Sequence, residues 1–183
     1  MRGCLLSSIF VILSLPVCAA EWHATDGSEF FFTTTFEGVP TPGEFRKFDV
    51  YFDFDPDDPG AGELCVRVDL NGADMGDPDM NAVLFDPAWF DLEQFSQAFF
   101  ISDEIKLLSP GQFLVVGKLN LKGTVQTVEV PFLWAGSGHE AMMRGEFVLQ
   151  RIDFNVGSGE WANDDAIGID VVLRFTIQLV HGD

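Results

Sequence analysis

Every second residue is apolar through most of this 183-residue chain, and that alternation constrains the fold more than any other feature. Successive side chains of an extended strand point to opposite sides of a sheet, so the pattern gives each strand one apolar face. In one row, Val50, Phe52 and Phe54 alternate with Tyr51 and Asp53. Comparable rows occupy residues 28–36, 64–70, 113–121, 128–134, 143–149 and 169–179. The chain is therefore predicted to be all-β.

Turn-forming sequences separate these rows. They are Pro40-Thr41-Pro42-Gly43, residues 56–62, Ser109-Pro110-Gly111, Lys122-Gly123-Thr124 and Gly136-Ser137-Gly138. Connections this short join antiparallel neighbours. About eight strands with one apolar face each can pack as a sandwich or close into a barrel, and closure also removes exposed edges. We favour an eight-stranded antiparallel barrel, with the sandwich as the alternative.

The alternation stops between Asp77 and Gln94. Here the apolar residues, among them Trp89 and Phe90, are spaced irregularly among prolines and acids. This spacing fits neither a long strand nor a long helix. The segment is predicted to form one short helix followed by a turn-rich stretch that caps the barrel.

The start of the chain has the pattern of a cleavable export signal. Arg2 precedes an apolar run over residues 5–17, and small residues follow at 18–20. A positive start, an apolar centre and a small-residue cleavage site are the three parts of a secretory signal peptide. We predict a signal peptide at residues 1–20 and a single mature domain at residues 21–183.

A lipid anchor on Cys18 is the competing interpretation of this segment. A cysteine at the end of an apolar signal can be lipidated, and the chain would then be tethered to a membrane. Val17 precedes the cysteine, at a position where a small residue is usual. We therefore favour cleavage without an anchor.

The predicted mature chain is strongly acidic. Without Arg2, nine of the ten basic residues remain against 29 acidic residues, which gives a net charge of −20. Such a charge repels nucleic acid and anionic lipid surfaces. We expect no nucleic-acid partner.

Phenylalanine dominates the aromatic residues. Without Phe10, 18 phenylalanines remain, together with four tryptophans and one tyrosine. Phenylalanine has bulk but no polar atom, so a cavity lined by it offers an apolar wall and few hydrogen bonds. An eight-stranded barrel has room either for filling side chains or for one ligand. The residues alone leave both a ligand-binding interior and a packed core open.

No set of residues with the pattern of a catalytic or metal site is visible. The three histidines, His23, His139 and His181, are far apart in sequence, and a serine, histidine and glutamate at 137–140 fit a hairpin turn better than a nucleophilic site. We expect Arg151 and Asp153 to pair with each other or to cap a turn. The chain is predicted to be no enzyme, with no catalytic residue, no metal and no cofactor.

Several separated segments together resemble the YceI-like, polyisoprenoid-binding, lipocalin-like family of exported bacterial proteins. They are Ser28-Glu29-Phe30-Phe31-Phe32, Gly43-Glu44-Phe45-Arg46-Lys47-Phe48, Trp89-Phe90-Asp91-Leu92-Glu93-Gln94-Phe95 with Phe100-Ile101-Ser102, Gly117-Lys118-Leu119-Asn120-Leu121-Lys122-Gly123 and Arg151-Ile152-Asp153-Phe154-Asn155-Val156-Gly157. The segments occur in the family's order and span nearly the whole mature chain. Lys122 stands where many members have a histidine, and Asn155 where a glycine is usual.

The resemblance implies a lipocalin-like barrel whose apolar interior binds or transports an isoprenoid lipid in the periplasm, without catalysis. The ligand is then expected to contact inward-facing residues of the rows and the cap: Phe30, Phe32, Phe36, Phe52, Val66, Val68, Phe90, Phe100, Leu119, Phe132, Trp134, Met143, Phe147, Trp161, Leu173 and Phe175. The alternative is a ligand-free periplasmic module with a packed core, a stress-related or electron-transfer partner protein.

The basic residues bear on the head group of such a lipid. A phosphorylated head needs basic partners, and no cluster is visible beyond Arg46 and Lys47. We predict a neutral, quinone-like head, such as that of ubiquinone. The family resemblance also implies a homodimer, and delivery of a lipid calls for a transient contact with a membrane protein.

Overall fold

The structure, a computed structural model, describes residues 21–182. Residues 1–20, with the predicted signal peptide and Cys18, lie outside the described residues, as does Asp183. The strands are β1 (Trp22–Ala24), β2 (Glu29–Phe36), β3 (Val39–Phe45), β4 (Phe48–Asp53), β5 (Glu63–Asp69), β6 (Ala73–Asp74), β7 (Gln97–Ser109), β8 (Gln112–Leu121), β9 (Thr124–Ser137), β10 (Glu140–Gln150) and β11 (Asp170–His181). One helix, α1 (Pro78–Phe85), lies between β6 and β7.

Antiparallel pairing closes the sheet into a barrel. Its order is β1-β4-β5-β7-β8-β9-β10-β11, and β11 pairs back onto β1, where Trp22 lies opposite His181. The short strands β2, β3 and β6 continue β1, β4 and β5 along the same wall, since β2 also pairs with β11 and β3 pairs with both β2 and β6. The prediction of an eight-stranded antiparallel barrel is confirmed.

The register keeps apolar side chains on the inside of the wall. In β11, Leu173, Phe175 and Ile177 are buried. Arg174 and Gln178, which point to the other side of the strand, are exposed. A shift of the pairing by one residue would move every side chain of the strand to the other face. The period of the sequence therefore fixes this register.

Two hairpins have two-residue turns with both residues in the left-handed region. Lys122 (φ 50°) and Gly123 (φ 74°) join β8 to β9, and Glu37 (φ 50°) and Gly38 (φ 78°) join β2 to β3. Turns of this kind match the twist of the strands, and glycine supplies the second positive φ without steric strain. They hold long neighbouring strands in antiparallel register.

Backbone pairing between β9 and β10 covers only part of their length. It ends at Phe132 opposite Gly145. The ladder would continue at Pro131, the residue before Phe132 in β9. Proline has no N–H to donate, so the pairing stops there. Farther along, a side chain joins the wall to the turn after β10, because Gln126 Nε2 donates to the carbonyl of Asp153 at 3.2 Å.

Helix α1 confirms the predicted short helix. Asp77 caps it, since Oδ1 accepts hydrogen bonds from the backbone N–H groups of Asp79 at 2.9 Å and Met80 at 3.1 Å. Asn81 fastens the helix to β6, where its Nδ2 donates to Asp74 Oδ1 at 2.8 Å. Between residues 21 and 182, no helix is long and apolar enough to cross a membrane.

Six aromatic rings fill one end of the barrel. This aromatic cluster consists of Trp22, Phe52, Phe54, Phe113, Phe132 and Trp134. The rings of Phe52 and Phe54 stack with centroids 4.5 Å apart, and Phe54 meets Trp134 edge-on at 4.9 Å. The indole N–H of Trp22 donates to the carbonyl of Phe54 at 3.1 Å. This end of the interior is packed core.

Candidate ligand-binding cavity

An apolar cavity of about 470 Å³ lies inside the barrel, away from the aromatic cluster. Side chains from β2 to β5, β7 to β11 and helix α1 line it, together with the turn after β10. Inward rows of opposite walls face each other across this space instead of interdigitating. An eight-stranded barrel with such a space holds one small ligand.

Most of the predicted ligand-contacting residues line this cavity. They are Phe30, Phe32, Phe36, Val66, Val68, Phe90, Phe100, Leu119, Met143, Phe147, Trp161, Leu173 and Phe175. The other three, Phe52, Phe132 and Trp134, lie in the aromatic cluster and not in the cavity wall. Both groups point inward with the same period, so the pattern of the sequence does not separate them. Contact of the cavity-lining residues with a ligand stays a prediction.

Other cavity residues were not predicted. Phe45 and Phe48 flank the break between β3 and β4, and Leu84 and Trp89 belong to the helix and the loop after it. Phe48 continues the row of Val50 and Phe52, whereas period-two alternation does not extend to Leu84 and Trp89. For Trp89, its position next to Phe90 in an aromatic-rich motif was the available signal.

The mouth of the cavity lies between helix α1 and the β2–β3 hairpin. Phe36, Met80 and Val83 line the cavity and also reach the surface, with exposed fractions of 41%, 37% and 41%. Thr34 and Thr41 lie opposite each other on the two hairpin strands. The helix and its following loop thus cap the barrel, as the irregular segment predicted.

Hydroxyl and charged groups are scarce in the wall. Among the lining residues, only Thr34, Thr41, Asp79 and Arg151 carry them. Thr34 Oγ1 already donates to the carbonyl of Gly168 at 3.4 Å and Thr41 Oγ1 to that of Val39 at 3.1 Å. The cavity therefore favours a ligand that is apolar over most of its length.

The guanidinium of Arg151 is buried, with 3% of the residue exposed, and every one of its N–H groups is used. An arginine side chain has five N–H donors. Here Nε donates to Gly168 O (2.9 Å), Nη1 to Val156 O (3.0 Å) and Gly157 O (3.1 Å), and Nη2 to Asn163 O (2.8 Å) and Ile167 O (2.8 Å). Burial lowers the pKa of Arg151.

Arg151 therefore organises the loop over residues 156–168. This agrees with the expected turn-capping role, although the bonds run to backbone carbonyls and not to Asp153. The guanidinium carbon also lies 5.4 Å from the ring centroid of Trp89, in cation–π contact. Gly157 (φ 75°) passes so close to Nη1 that a Cβ would not fit.

Lys122 joins two loops to the barrel. Its Nζ donates to the carbonyls of Pro87 and Asn155, both at 2.8 Å. Burial lowers the pKa of Lys122, and the charge of Asp91 partly opposes that shift. Asn155 adopts the left-handed conformation (φ 56°) and its Nδ2 donates to Thr124 Oγ1 at 3.2 Å. The two residues that depart from the family pattern thus support each other.

Three phenylalanine rings of the wall lie over glycines. Phe32 covers Gly43, Phe100 covers Gly117, and Phe175 covers Gly145. With no Cβ beneath it, a ring can lie against the sheet instead of standing into the interior. These glycines therefore widen the cavity.

The histidines do not form a metal site. The rings of His139 and His181 lie with centroids 5.9 Å apart, and His181 Nε2 is 3.4 Å from Glu21 Oε2. In the part of the chain that the structure describes, no group of three or more histidine, cysteine or acidic side chains could hold a metal ion.

Comparison in sequence identifies relatives in two Yersinia species. A UPF0312 protein of Yersinia enterocolitica is 31% identical over 98 residues, which are 54% of this chain and 50% of that protein. A UPF0312 protein of Yersinia pestis is 30% identical over the same length. The chain thus spans about half the length of the curated relatives that it matches.

Comparison of structures finds the same fold in three bacterial proteins. BcnA of Burkholderia cenocepacia has a TM-score of 0.80 at 32% identity, over 82% of this chain and 95% of that one. A polyisoprenoid-binding domain from Saccharophagus degradans has 0.72 at 16% identity, over 89% and 99%. The YceI protein of Campylobacter jejuni has 0.69 at 13% identity, with full coverage of both chains. The YceI-like domain model matches residues 23–179, and the chain therefore belongs to the YceI-like domain family.

Proposed function

We propose that this protein binds a long-chain isoprenoid lipid and holds it for transport or storage, without catalysis. The observation that carries the proposal is the cavity of about 470 Å³ inside the barrel, with an almost wholly apolar wall. The name of the Saccharophagus degradans domain, which shares this fold, describes it as polyisoprenoid-binding. Family membership and cavity chemistry support the same class of ligand.

The energetics of an isoprenoid tail suit such a cavity. Each methylene removed from water contributes about 0.8 kcal/mol, so a tail of many isoprene units does not cross an aqueous compartment unaided. The net affinity is well below the sum over the buried area, because ordering a flexible tail is unfavourable. Because the barrel interior is already formed, the protein itself loses little conformational freedom when the lipid binds.

A neutral, quinone-like head fits the charges at the cavity. Arg151 is the only basic residue among the lining residues, and its five N–H groups already bond to backbone carbonyls. Asp79 adds a negative charge near the mouth. A phosphate head needs free cationic donors. The lining therefore favours ubiquinone-like lipids over polyprenyl phosphates.

The packed-core alternative has one supporting observation. The aromatic cluster around Phe54 and Phe132 fills its end of the barrel completely. The other end keeps its cavity even though phenylalanines such as Phe30, Phe32 and Phe175 face it. A module without a ligand gives no reason for that space, so we favour binding.

We propose a periplasmic location, which rests on the signal-like pattern of residues 1–20. A protein outside the cytoplasm that carries a membrane lipid has to exchange it with a membrane or a membrane protein. We accordingly propose a transient contact with a membrane protein. We also propose a homodimer, which the family resemblance implies. Sedimentation equilibrium of the purified mature chain tests it.

Two experiments test the proposal. First, the protein is purified from a bacterial periplasm without detergent, and its organic extract is analysed by mass spectrometry. A stoichiometric isoprenoid is expected. A folded protein free of lipid would argue against a carrier and for the packed-core module.

Second, the delipidated protein is titrated with lipids that share one isoprenoid tail and differ in the head. A quinone head is expected to bind more tightly than a phosphate head. Tighter binding of the phosphorylated lipid would overturn the neutral-head proposal while leaving isoprenoid binding intact.

A further inference from the structure

Exposed apolar side chains surround the mouth of the cavity. Phe36, Met80 and Val83 reach the surface there, and Val39, which lies opposite Phe36 beside the hairpin turn, is 63% exposed. Val39 does not line the cavity, so ligand binding gives no reason for its exposure. Large apolar residues grouped on a surface, with polar residues around them, are typical of an interaction site. These four residues are the apolar rim.

Three segments that meet at the apolar rim carry negative charge and no positive charge. They are the β2–β3 hairpin (residues 29–45), the segment around helix α1 (residues 74–95) and the loop after β10 (residues 152–170). The loop joins the hairpin where the backbone N–H of Glu37 donates to the carbonyl of Ala166 at 2.7 Å. Together the segments hold 14 of the 29 acidic residues and no lysine or arginine.

The cations that reach these segments are already engaged. Arg46 forms ion pairs with two of their acids, and Lys122 and Arg151 donate to backbone carbonyls. Glu37, in the hairpin turn, and Asp79, in the first turn of α1, are exposed beside the apolar rim. Within residues 21–182, neither carboxylate has an ion pair. The apolar rim therefore lies in a negative field that the protein does not neutralise.

This field decides between the surfaces available to the apolar rim. An anionic bilayer repels it, whereas a basic surface attracts it and raises the rate of encounter. Protein interfaces typically combine an apolar centre with polar and charged groups around it. A protein face with an apolar centre and basic surroundings matches the apolar rim in both respects.

We propose that the apolar rim docks on a membrane protein whose contacting face is basic around an apolar centre, and that the lipid passes through the mouth while the two proteins are joined. The inference rests on the proposed function and adds the docking surface and the chemistry of the partner. Helix α1 and the β2–β3 hairpin form the docking face. The aromatic-cluster end of the barrel points away from the partner.

Site-specific photo-cross-linking tests the docking face. The photoreactive residue p-benzoylphenylalanine replaces Val39 in the full chain, and in a control chain it replaces Leu108, which is 57% exposed at the aromatic-cluster end. Irradiation of the producing cells is expected to give an adduct with a membrane protein from position 39 and none from position 108. The cross-linked peptide of the partner is expected to carry lysine or arginine beside the adduct. Adducts with lipid alone, no adduct, or the same protein adduct from both positions would overturn the proposal.

Charge variants separate the apolar rim from the net charge. Glu37→Gln/Asp79→Asn removes two charges beside the apolar rim and is expected to lower the adduct yield from position 39 about fivefold, because the attraction weakens. Asp58→Asn/Glu140→Gln removes the same charge from exposed residues at the aromatic-cluster end, and its yield is expected to stay within about twofold of the wild type. Equal losses in the two variants would refute docking through the apolar rim.

A titration without any membrane tests the proposed function separately. Delipidated wild-type protein is titrated in solution with a short-tailed ubiquinone. Absence of binding would refute lipid carriage and the inference with it. Normal binding together with any of the contrary cross-linking results would refute the docking face and leave isoprenoid binding standing.

Discussion

Gly43 lies directly beneath the aromatic ring of Phe32. The two residues are paired across β2 and β3, and a Cβ on Gly43 would stand 2.7 and 2.8 Å from the two Cε atoms of the ring, with Cζ closer still. The absent side chain of Gly43 therefore sets how deep the Phe32 ring reaches into the cavity.

Gly43→Ala is expected to push the Phe32 ring inward and to reduce lipid binding. The backbone of Gly43 is not in the left-handed region, and the three atoms nearest to the added methyl group all belong to the Phe32 ring. Overpacking of this kind lowers the free energy of unfolding by about 1–3 kcal/mol. Lipid titration and urea denaturation measure the two effects.

Gly60→Ala serves as the control for that substitution, since nothing lies within 4 Å of its added Cβ. It is expected to leave both quantities unchanged. The double variant Phe32→Leu/Gly43→Ala is expected to recover lipid binding, because the shorter side chain makes room for the new methyl group. Normal lipid binding by Gly43→Ala alone would show that the Phe32 ring does not border the ligand.

Arg151→Met is expected to lower the free energy of unfolding by at least about 3 kcal/mol, because buried carbonyls lose their donors. Lysine has three donors instead of five, so the free energy of unfolding of Arg151→Lys is expected to lie between those of Arg151→Met and the wild type. Denaturant unfolding gives these values. Arg67→Met is the control, since Arg67 is in an exposed ion pair with Asp49 that is worth less than about 1 kcal/mol. Equal losses at both positions would contradict the structural role of Arg151.

Asp74 makes the anchoring of helix α1 sensitive to acid. Hydrogen bonds from the Asn81 side chain and the Gly76 backbone, with the charge of Arg46, hold the pKa of Asp74 below its usual value. Because the folded-state pKa is the lower one, the stabilisation is complete above the unfolded value of about 3.9 and is lost as the pH falls through the folded value.

This linkage is tested by measuring the free energy of unfolding of the wild type and of Asp74→Asn as a function of pH. The variant is expected to be less stable than the wild type at neutral pH, and the difference is expected to vanish in acid. Asp58→Asn, in the exposed loop between β4 and β5, controls for loss of a charge alone. A gap between wild type and Asp74→Asn that stays constant down to about pH 2 would rule out this linkage.

Phe132→Ala and Phe147→Ala make the same chemical change in the two halves of the interior. Phe132 is packed in the aromatic cluster, so its loss is expected to lower the free energy of unfolding by about 3–5 kcal/mol without altering lipid affinity. Phe147 borders the cavity, so its loss is expected to destabilise less and to weaken lipid binding about fivefold. Weaker lipid binding by Phe132→Ala, measured where that variant is folded, would place the ligand deeper than we propose.

The sequence by itself determined the antiparallel all-β fold and the direction of its side chains, whereas the pairing of β11 with β1 closes the sheet into a barrel. Alternation at period two decides which face of each strand is apolar, and the same pattern in Leu173, Phe175 and Ile177 holds in the folded β11. Short turns such as Lys122-Gly123 decide that neighbours are antiparallel. These are local properties of the backbone, so no knowledge of distant contacts is needed to predict them.

Only the tertiary structure decided which inward residues pack and which line a cavity. Phe132 and Phe147 have the same sequence pattern, yet the ring of Phe132 meets those of Phe52 and Phe54 across the barrel and Phe147 lines the cavity. That difference depends on where each residue lies along the axis of the closed barrel. The five carbonyls around Arg151 likewise come from segments that only folding brings together. Periodicity describes one strand at a time, whereas a cavity is a property of all the walls that enclose it.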